Sequence, residues 1–369
     1  MKSIRIDRSL RLRDDHGTGH NRWHPDIEPV LAVEPGEPVY VETRDAADGQ
    51  VRPDMRYEDL ARNDRFAAHP LTGPIFVNGA RPGDLLEIEF VEITAQDYGW
   101  TVIRPGAGFL REHFHEGFLA HWHVSDGFAR SPQVPGVRIP DSVFMGTAGV
   151  APSHAQLQAW TAREADVVRR GGIAFPPESR DAVPAIEPIA STALRTIPPR
   201  ENGGNADIKQ LTRGSRLQIP VAVEGALFSV GDAHYAQGDS ECCITAIEMG
   251  ASAVLRFRLI EGAAARHGIR FPRFSHPGLF LAPKWAAPEN FVATIGLPIR
   301  DDGTQESEDL TLASRNALLE MIALLGERGF TREQAYVICS LAVDLRISNA
   351  VDLPNVTVSA LLPEAIFED

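Results

Sequence analysis

Apolar and polar residues alternate along two early runs, Pro38 to Thr43 and Asp84 to Ile93, and each run follows a Pro-Gly pair, Pro35-Gly36 or Pro82-Gly83. A two-residue period predicts half-buried strands, launched here by turns. The same pattern returns between residues 215 and 260, in Arg216 to Val223, Ala226 to Val230 and Ser252 to Ile260, and predicts a second β unit. Residues 96–153 are rich in Gly, Pro and aromatic residues with weak periodicity, which reads as long structured loops of the kind that line sites. Ala155 to Arg170 predicts a helix stopped by Gly171-Gly172, and the Pro-rich stretch after it, ending near residue 199, marks a boundary between lobes 1–199 and 200–369. Leu312, Leu319, Ile322 and Leu325 fall at helical spacing within Thr311 to Glu327, and Thr331 with Gln334 forms a capping box opening a second helix through about Leu345. Such stripes serve packing. The expected fold is mainly β (α+β), with β-sandwich or jelly-roll-like lobes and a C-terminal helical hairpin.

Composition narrows the partners. A net charge of −14 disfavours phosphate backbones and anionic membranes, so neither nucleic acid nor a membrane is an expected partner. No stretch approaches the roughly 18–20 apolar residues that span a bilayer, and the N-terminus lacks the apolar run of a signal peptide. Three cysteines, Cys242, Cys243 and Cys339, resemble neither a disulfide framework nor a zinc knuckle, and a reducing, cytoplasmic location is expected. There is no phosphate-binding GxxxxGK[ST] loop and no GxSxG nucleophile elbow. Cys242 and Cys243 stand beside acidic residues that raise a thiol pKa, so packing is their expected role.

The densest chemistry is Gly231 to Glu241, where Asp232, His234, Asp239 and Glu241 lie within ten or so residues of the strand Leu227 to Val230. Residues two apart on a strand share a face, so Asp232 with His234, and Asp239 with Glu241 beyond Gly238, could reach one ion. A surface hairpin with a polar tip is the alternative. In Pro199 to Asp207, Gly203-Gly204 allows close backbone approach to a ligand while Asn205 and Asp207 offer oxygens, although Asx-Gly pairs also make ordinary turns. His20, Arg22 and Trp23 could orient a small polar substrate, or Trp23 could simply dock an N-terminal loop. His113, His115, His121 and His123 form two HxH pairs without a supporting carboxylate pattern.

Read together, these segments resemble the acetamidase/formamidase family in order and spacing. The matching stretches are His20 to Ile27, His69 to Pro74 with Gly83-Asp84, Pro135 to Arg138 leading to Ala151 to Ser153, Pro198 to Lys209, Gly231 to His234 with Gly238 to Glu241, Ala246 to Glu248, and Asp344 to Val351. The opening and the Pro-Pro-Arg-Glu-Asn-Gly-Gly-Asn run look closer to the formamidase branch. Ser240 stands where the Gly-Asp-Gly-Glu signature has glycine, and the middle loops are shorter than in typical formamidases. The resemblance implies C–N hydrolysis of a small amide, a β-rich fold, homo-oligomers and a divalent metal such as zinc, with calcium at a second site as a further option. Within the matched motifs the expected roles are Asp207, Asp232 and His234 as metal ligands, Glu241 as general base, Asn205 orienting the carbonyl and Asp239 holding the His234 tautomer. His20 and His69 are candidates for a fourth ligand, and His20, Arg22, Trp23 and His69 for substrate contacts. The rivals are a diverged relative cleaving another small C–N bond and a noncatalytic metal- or sugar-binding β-sandwich.

Overall fold

The computed structural model describes residues 1–278 and 280–368. Two large open sheets dominate, and the chain is mainly β with a minority of helix. The first sheet runs in the order Lys2–Ile4, Pro38–Thr43, Ala251–Ile260, Leu85–Ala95, Arg216–Pro220, Arg273–Ser275. Its strands alternate as expected: Val39, Val41, Ala253, Leu255 and Phe257 are buried while their neighbours reach outward. The buried face meets Ile75, Val77, Met145, Phe228 and Val230 of the second sheet in a shared core.

The second sheet carries the site. Its path runs from Val134–Pro140 through Phe128–Ser131, Phe118–Ser125, Tyr98–Ile103, Glu248–Met249, Phe228–His234 and Phe144–Gly149 to Gly203–Asn205. Five of these strands lie in residues 96–153, where loops were expected. In Phe144–Gly149 the period is hidden because a strand covered on both faces does not alternate: all six of its residues are buried. Strands from both sides of residue 199 share both large sheets, so the expected lobe boundary separates neither sheet.

The early helix forms at His154–Arg169, capped by Ser153 and Gln156, and packs Leu157 and Trp160 on Trp23. The C-terminal hairpin comprises Leu310–Glu327 and Arg332–Ala342, and Thr331 with Gln334 makes the expected capping box. The second helix ends before Leu345. Asp344–Asn349 instead pairs with Thr357–Pro363, which also pairs with Phe291–Gly296, and the long helix lies on this small sheet. Contact is closest at Gly296, where an added Cβ would stand 1.9 Å from the Ala313 carbonyl oxygen and 2.4 Å from the Ala317 nitrogen. Backbone cannot yield to a methyl as a side-chain end can. Gly296→Ala should therefore lower the unfolding free energy by about 2 kcal/mol, measured by urea titration.

Candidate active site

Three strands and two loops converge on a buried histidine. Phe228–His234 delivers Asp232 and His234, and Glu248 is the direct cross-strand partner of His234. Gly203–Asn205 pairs with Phe144–Gly149 and leads into Asp207. His234 Nε2 lies 3.6 Å from Asp232 Oδ1 and 3.3 Å from Glu248 Oε2. Asp207, Asp232 and His234 offer donor atoms that all lie within 4.8 Å of one another, and so do His234, Glu241 and Glu248. His69 approaches from the other side, its Nδ1 3.9 Å from Asp232 Oδ2.

The backbone accommodates this crowding in unusual ways. Asp207, Asp232 and Glu241 have φ of 48°, 55° and 48°, left-handed values that few non-glycine residues adopt outside sites where the surroundings enforce them. Gly146 provides the floor: a Cβ there would lie 2.7 Å from Asp207 Oδ1 and 2.8 Å from the His234 ring. Only glycine lets the strand pass so close.

Unsatisfied atoms define what the cluster lacks. His69 Nδ1, Asp207 Oδ1, Asp232 Oδ1, His234 Nε2 and Glu248 Oε2 are buried without a hydrogen-bond partner among the described residues. Each orphan costs free energy unless an ion or ordered water completes it. Donors about 2.0–2.1 Å from a tetrahedral ion stand about 3.3 Å apart, close to the 3.3 and 3.6 Å observed around His234 Nε2. The residues present therefore fit a divalent cation. His234 Nδ1 is paired with Gln237 Oε1 at 3.0 Å, and Gln237 Nε2 donates to the Asp207 carbonyl at 2.9 Å. This pairing keeps a proton on Nδ1, so Nε2 is the nitrogen that would be available to a cation.

Electrostatics agree with a missing positive charge. Burial, reinforced by the Glu248 and Asp232 carboxylates, pushes the Glu241 carboxyl up to about 8. Burial and then Asp232 raise Glu248 to about 7, while burial and then Glu241 raise Asp207 well above the carboxylate range. Burial opposes charge on Asp232 too, but His69 and His234 outweigh it and hold this carboxylate ionised. Burial likewise opposes charge on His234, and Glu248 and Asp232 outweigh it and raise its pKa. The protons stand in for a cation.

A cavity of about 730 Å³ opens onto this cluster, with His69, Asn205, Asp232, Glu241 and Glu248 in its lining. Asn205 Oδ1 accepts from Thr147 at 2.6 Å, leaving its amide nitrogen unengaged among the described residues. Other sequence candidates lie elsewhere. Asp239 does not serve His234: its side chain meets Gln210 and Lys209, and Gln237 takes the position foreseen for it. His20, Arg22 and Trp23 sit in the wall behind the cavity and not in its lining. His20 Nε2 pairs with Ser229 at 2.7 Å, Arg22 donates to the carbonyls of Asn21, Phe66, Glu178 and Arg180, and Trp23 packs on Leu157 and Trp160. Protein carbonyls engage the Arg22 guanidinium, and Ser229 engages His20 Nε2; His20 Nδ1 and Trp23 Nε1 are buried without a hydrogen-bond partner among the described residues. His121 is similarly satisfied, between Tyr98 and the Met55 carbonyl. Cys242 and Cys243 are buried, and burial pushes the Cys243 thiol up to about 11. Glu248 and Gln237 were missed as working residues, although Ala246 to Glu248 belongs to the matching pattern; only the strand register shows Glu248 facing His234.

Fold and site together define a class: a mainly β protein whose cavity ends on a histidine and carboxylate cluster suited to a divalent cation. The profile of the Acetamidase/Formamidase family matches residues 5–369, and the chain belongs to that family. It is 34% identical to a formamidase of Methylophilus methylotrophus over 100% of this chain and 94% of that protein. It is 36% identical to an acetamidase of Mycolicibacterium smegmatis, covering 90% and 87% of the two chains. Among solved structures, a gamma lactamase from Delftia acidovorans superposes with a TM-score of 0.93 at 35% identity, over 100% of this chain and 94% of that one.

Ser240, where the family signature has glycine, adopts φ of 131°, a region that glycine occupies readily and serine does not. Ser240→Gly should raise stability by about 1 kcal/mol in thermal unfolding. The raised carboxyls predict a pH dependence. Between the ordinary glutamate pKa of 4.5 and about 8, folded Glu241 and Glu248 hold protons that the unfolded chain has released. Their contribution to stability is therefore full below 4.5 and lost as pH rises through 7 and 8. The cation-free protein should melt at a lower temperature at pH 8 than at pH 5.5, and Glu241→Gln should flatten that slope.

Proposed function

We propose that the chain hydrolyses the C–N bond of short-chain amides with a divalent cation held by Asp207, Asp232 and His234. The five orphaned buried atoms around His234 carry this reading. A mixed nitrogen and oxygen donor set favours zinc, and each of the three candidate clusters among the described residues includes a histidine, unlike the all-oxygen shells calcium prefers. When bound, the cation supplies Lewis acidity toward the carbonyl and lowers the pKa of water.

The protein's own groups supply the rest. Glu248, facing the same gap, adds a fourth donor or balances charge. Asn205, its oxygen held by Thr147, presents its amide N–H groups to the substrate carbonyl. Glu241 lines the cavity beside the cluster; its carboxyl is pushed up to about 8 without a cation, and beside a cation's charge it would ionise and be fit to take a proton from the attacking water and return it to the leaving nitrogen. Water's oxygen bonds to the acyl carbon, the C–N bond breaks, and ammonia leaves with the proton from Glu241. The cavity volume, and the similarity to the Delftia gamma lactamase, support including a cyclic amide among the substrates tested. The core shared by the two sheets supports reading them as sandwich layers, and the family resemblance extends the proposal to a cytoplasmic homo-oligomer. No described helix is long and apolar enough to cross a membrane.

The test is ammonia release from formamide, acetamide and propionamide, and ring opening of a γ-lactam, by metal-replete and chelator-stripped protein. Activity should vanish on stripping and return with zinc, and Glu241→Gln should keep its metal while losing about 100-fold or more in kcat. Turnover that survives verified metal removal would sink the cation mechanism.

A further inference from the structure

Arg195 lines the cavity and is 5% exposed, yet among the described residues its guanidinium makes no hydrogen bond and no ion pair. The contrast with its cross-strand partner is instructive. Arg22 is equally deep, but its guanidinium is satisfied by the carbonyls of Asn21, Phe66, Glu178 and Arg180. Those carbonyls are thereby unavailable to Arg195, and the two cations face each other. The Glu178 carboxylate acts on Arg195 only at a distance, since its oxygen is bonded to Arg180 at 2.8 Å. What Arg195 does touch is the Phe66 ring, 5.3 Å from the guanidinium to the centroid. A buried cation without a contacting anion is costly, and among the described residues only Glu178 and Asp181, at a distance, and the Phe66 ring offset this one in part.

Its position tells what would. Thr196, the next residue, is tied to the backbone of His69 at 2.6 Å, so Arg195 stands beside the wall that leads down to the cation cluster. Arg104, also lining the cavity, has neither hydrogen bond nor ion pair on its side chain among the described residues. The lining mixes further polar residues, Arg65 and Arg111 among them, with the aromatic Phe66, Trp100, Phe109 and Phe175. A cavity of about 730 Å³ lies in the range that takes drug-sized ligands, whereas a one- or two-carbon amide would leave most of it empty.

We infer that the cavity takes an amide whose far end is a carboxylate, received by Arg195, with an apolar or aromatic body between the carboxylate and the reacting carbonyl. The inference rests on the amidase reading for the chemistry at the floor, and the remote carboxylate passes through the reaction unchanged. Arginine's planar fork matches a carboxylate in two parallel hydrogen bonds.

Two substrate pairs test it on the metal-loaded enzyme: 4-carbamoylbenzoate against 4-methylbenzamide, and adipamate against hexanamide. The wild type should favour the charged member by about tenfold or more in kcat/KM, mainly through KM. Arg195→Met should collapse that ratio toward one, and Arg195→Lys should keep part of it. A thermal melt shows whether the Met variant folds, and loss of the unpaired charge should raise its midpoint. Calorimetry separates this inference from the amidase reading: terephthalate should bind the wild type about tenfold or more tighter than benzoate, and Arg195→Met should lose that difference. If no amide is turned over, the amidase reading fails while this binding result still supports the anion receptor. Equal binding of the two acids by the wild type, or a preference unchanged in Arg195→Met, would overturn it.

Discussion

Four carboxylates gathered round one imidazole in a buried place set the problem that the rest of the structure answers. Two like charges 4 Å apart repel by about 4 kcal/mol at the effective dielectric of a protein site, so Asp207, Asp232, Glu241 and Glu248 cannot all ionise without added positive charge. Protons on Glu241 and Asp207 relieve part of the repulsion, and His69 and His234 hold Asp232 ionised. The fold resists the remainder by rigidity. Each member of the cluster is anchored to a strand or to a turn in left-handed backbone, Gly146 yields the space beneath them, and Gln237 locks the orientation of the imidazole. A site of this kind is preorganised at the expense of stability.

How much of this was legible follows from the distance over which each signal acts. Local signals read well: the alternation of Pro38–Thr43 and Ala251–Ile260, and the capping box at Thr331, depend on neighbours in the chain, and the structure contains each. The juxtaposition of Asp232 with His234 was also readable, because two residues on one strand face need no knowledge of the partner strand. Signals set by tertiary context were not. Phe144–Gly149 is covered on both sides and shows no period, so it passed for loop. Glu248 owes its place to a cross-strand register that no spacing encodes. Asp239 and Gln237 are two residues apart, yet the chain turns at Gly238, pressed against the Val343 carbonyl, and directs the glutamine inward and the aspartate toward Lys209.

The stretch His20 to Trp23 shows how a chemically rich motif can serve a site without entering it. Arg22 ties Phe66 to Glu178 and Arg180 through their carbonyls, and Phe66 and Phe175 both face the cavity. Trp23 fixes the same segment to the early helix through Leu157 and Trp160. The motif thus holds two loops that frame the cavity, and the Arg22 guanidinium is used up in doing so. Residue type alone cannot separate this role from substrate binding, because both call for a donor-rich side chain near the site.

The two ends of the cavity are opposite in electrostatic character, and that polarity bears on its use. The floor carries excess negative charge and the side wall holds guanidiniums without an ion pair among the described residues, within a chain whose net charge is −14. A neutral small amide compensates neither end. A cation at the floor and an anion at the wall compensate both, and the aromatic side chains of the lining suit the body of a guest that carries the anion. The reacting carbonyl must sit at the floor, so the separation of Arg195 from Asp232 selects the guest. The same separation explains why the guanidinium does not collapse onto the floor carboxylates in the free protein: the strand pairing of Arg195 with Arg22, and the bond from Thr196 to His69, hold its backbone in place.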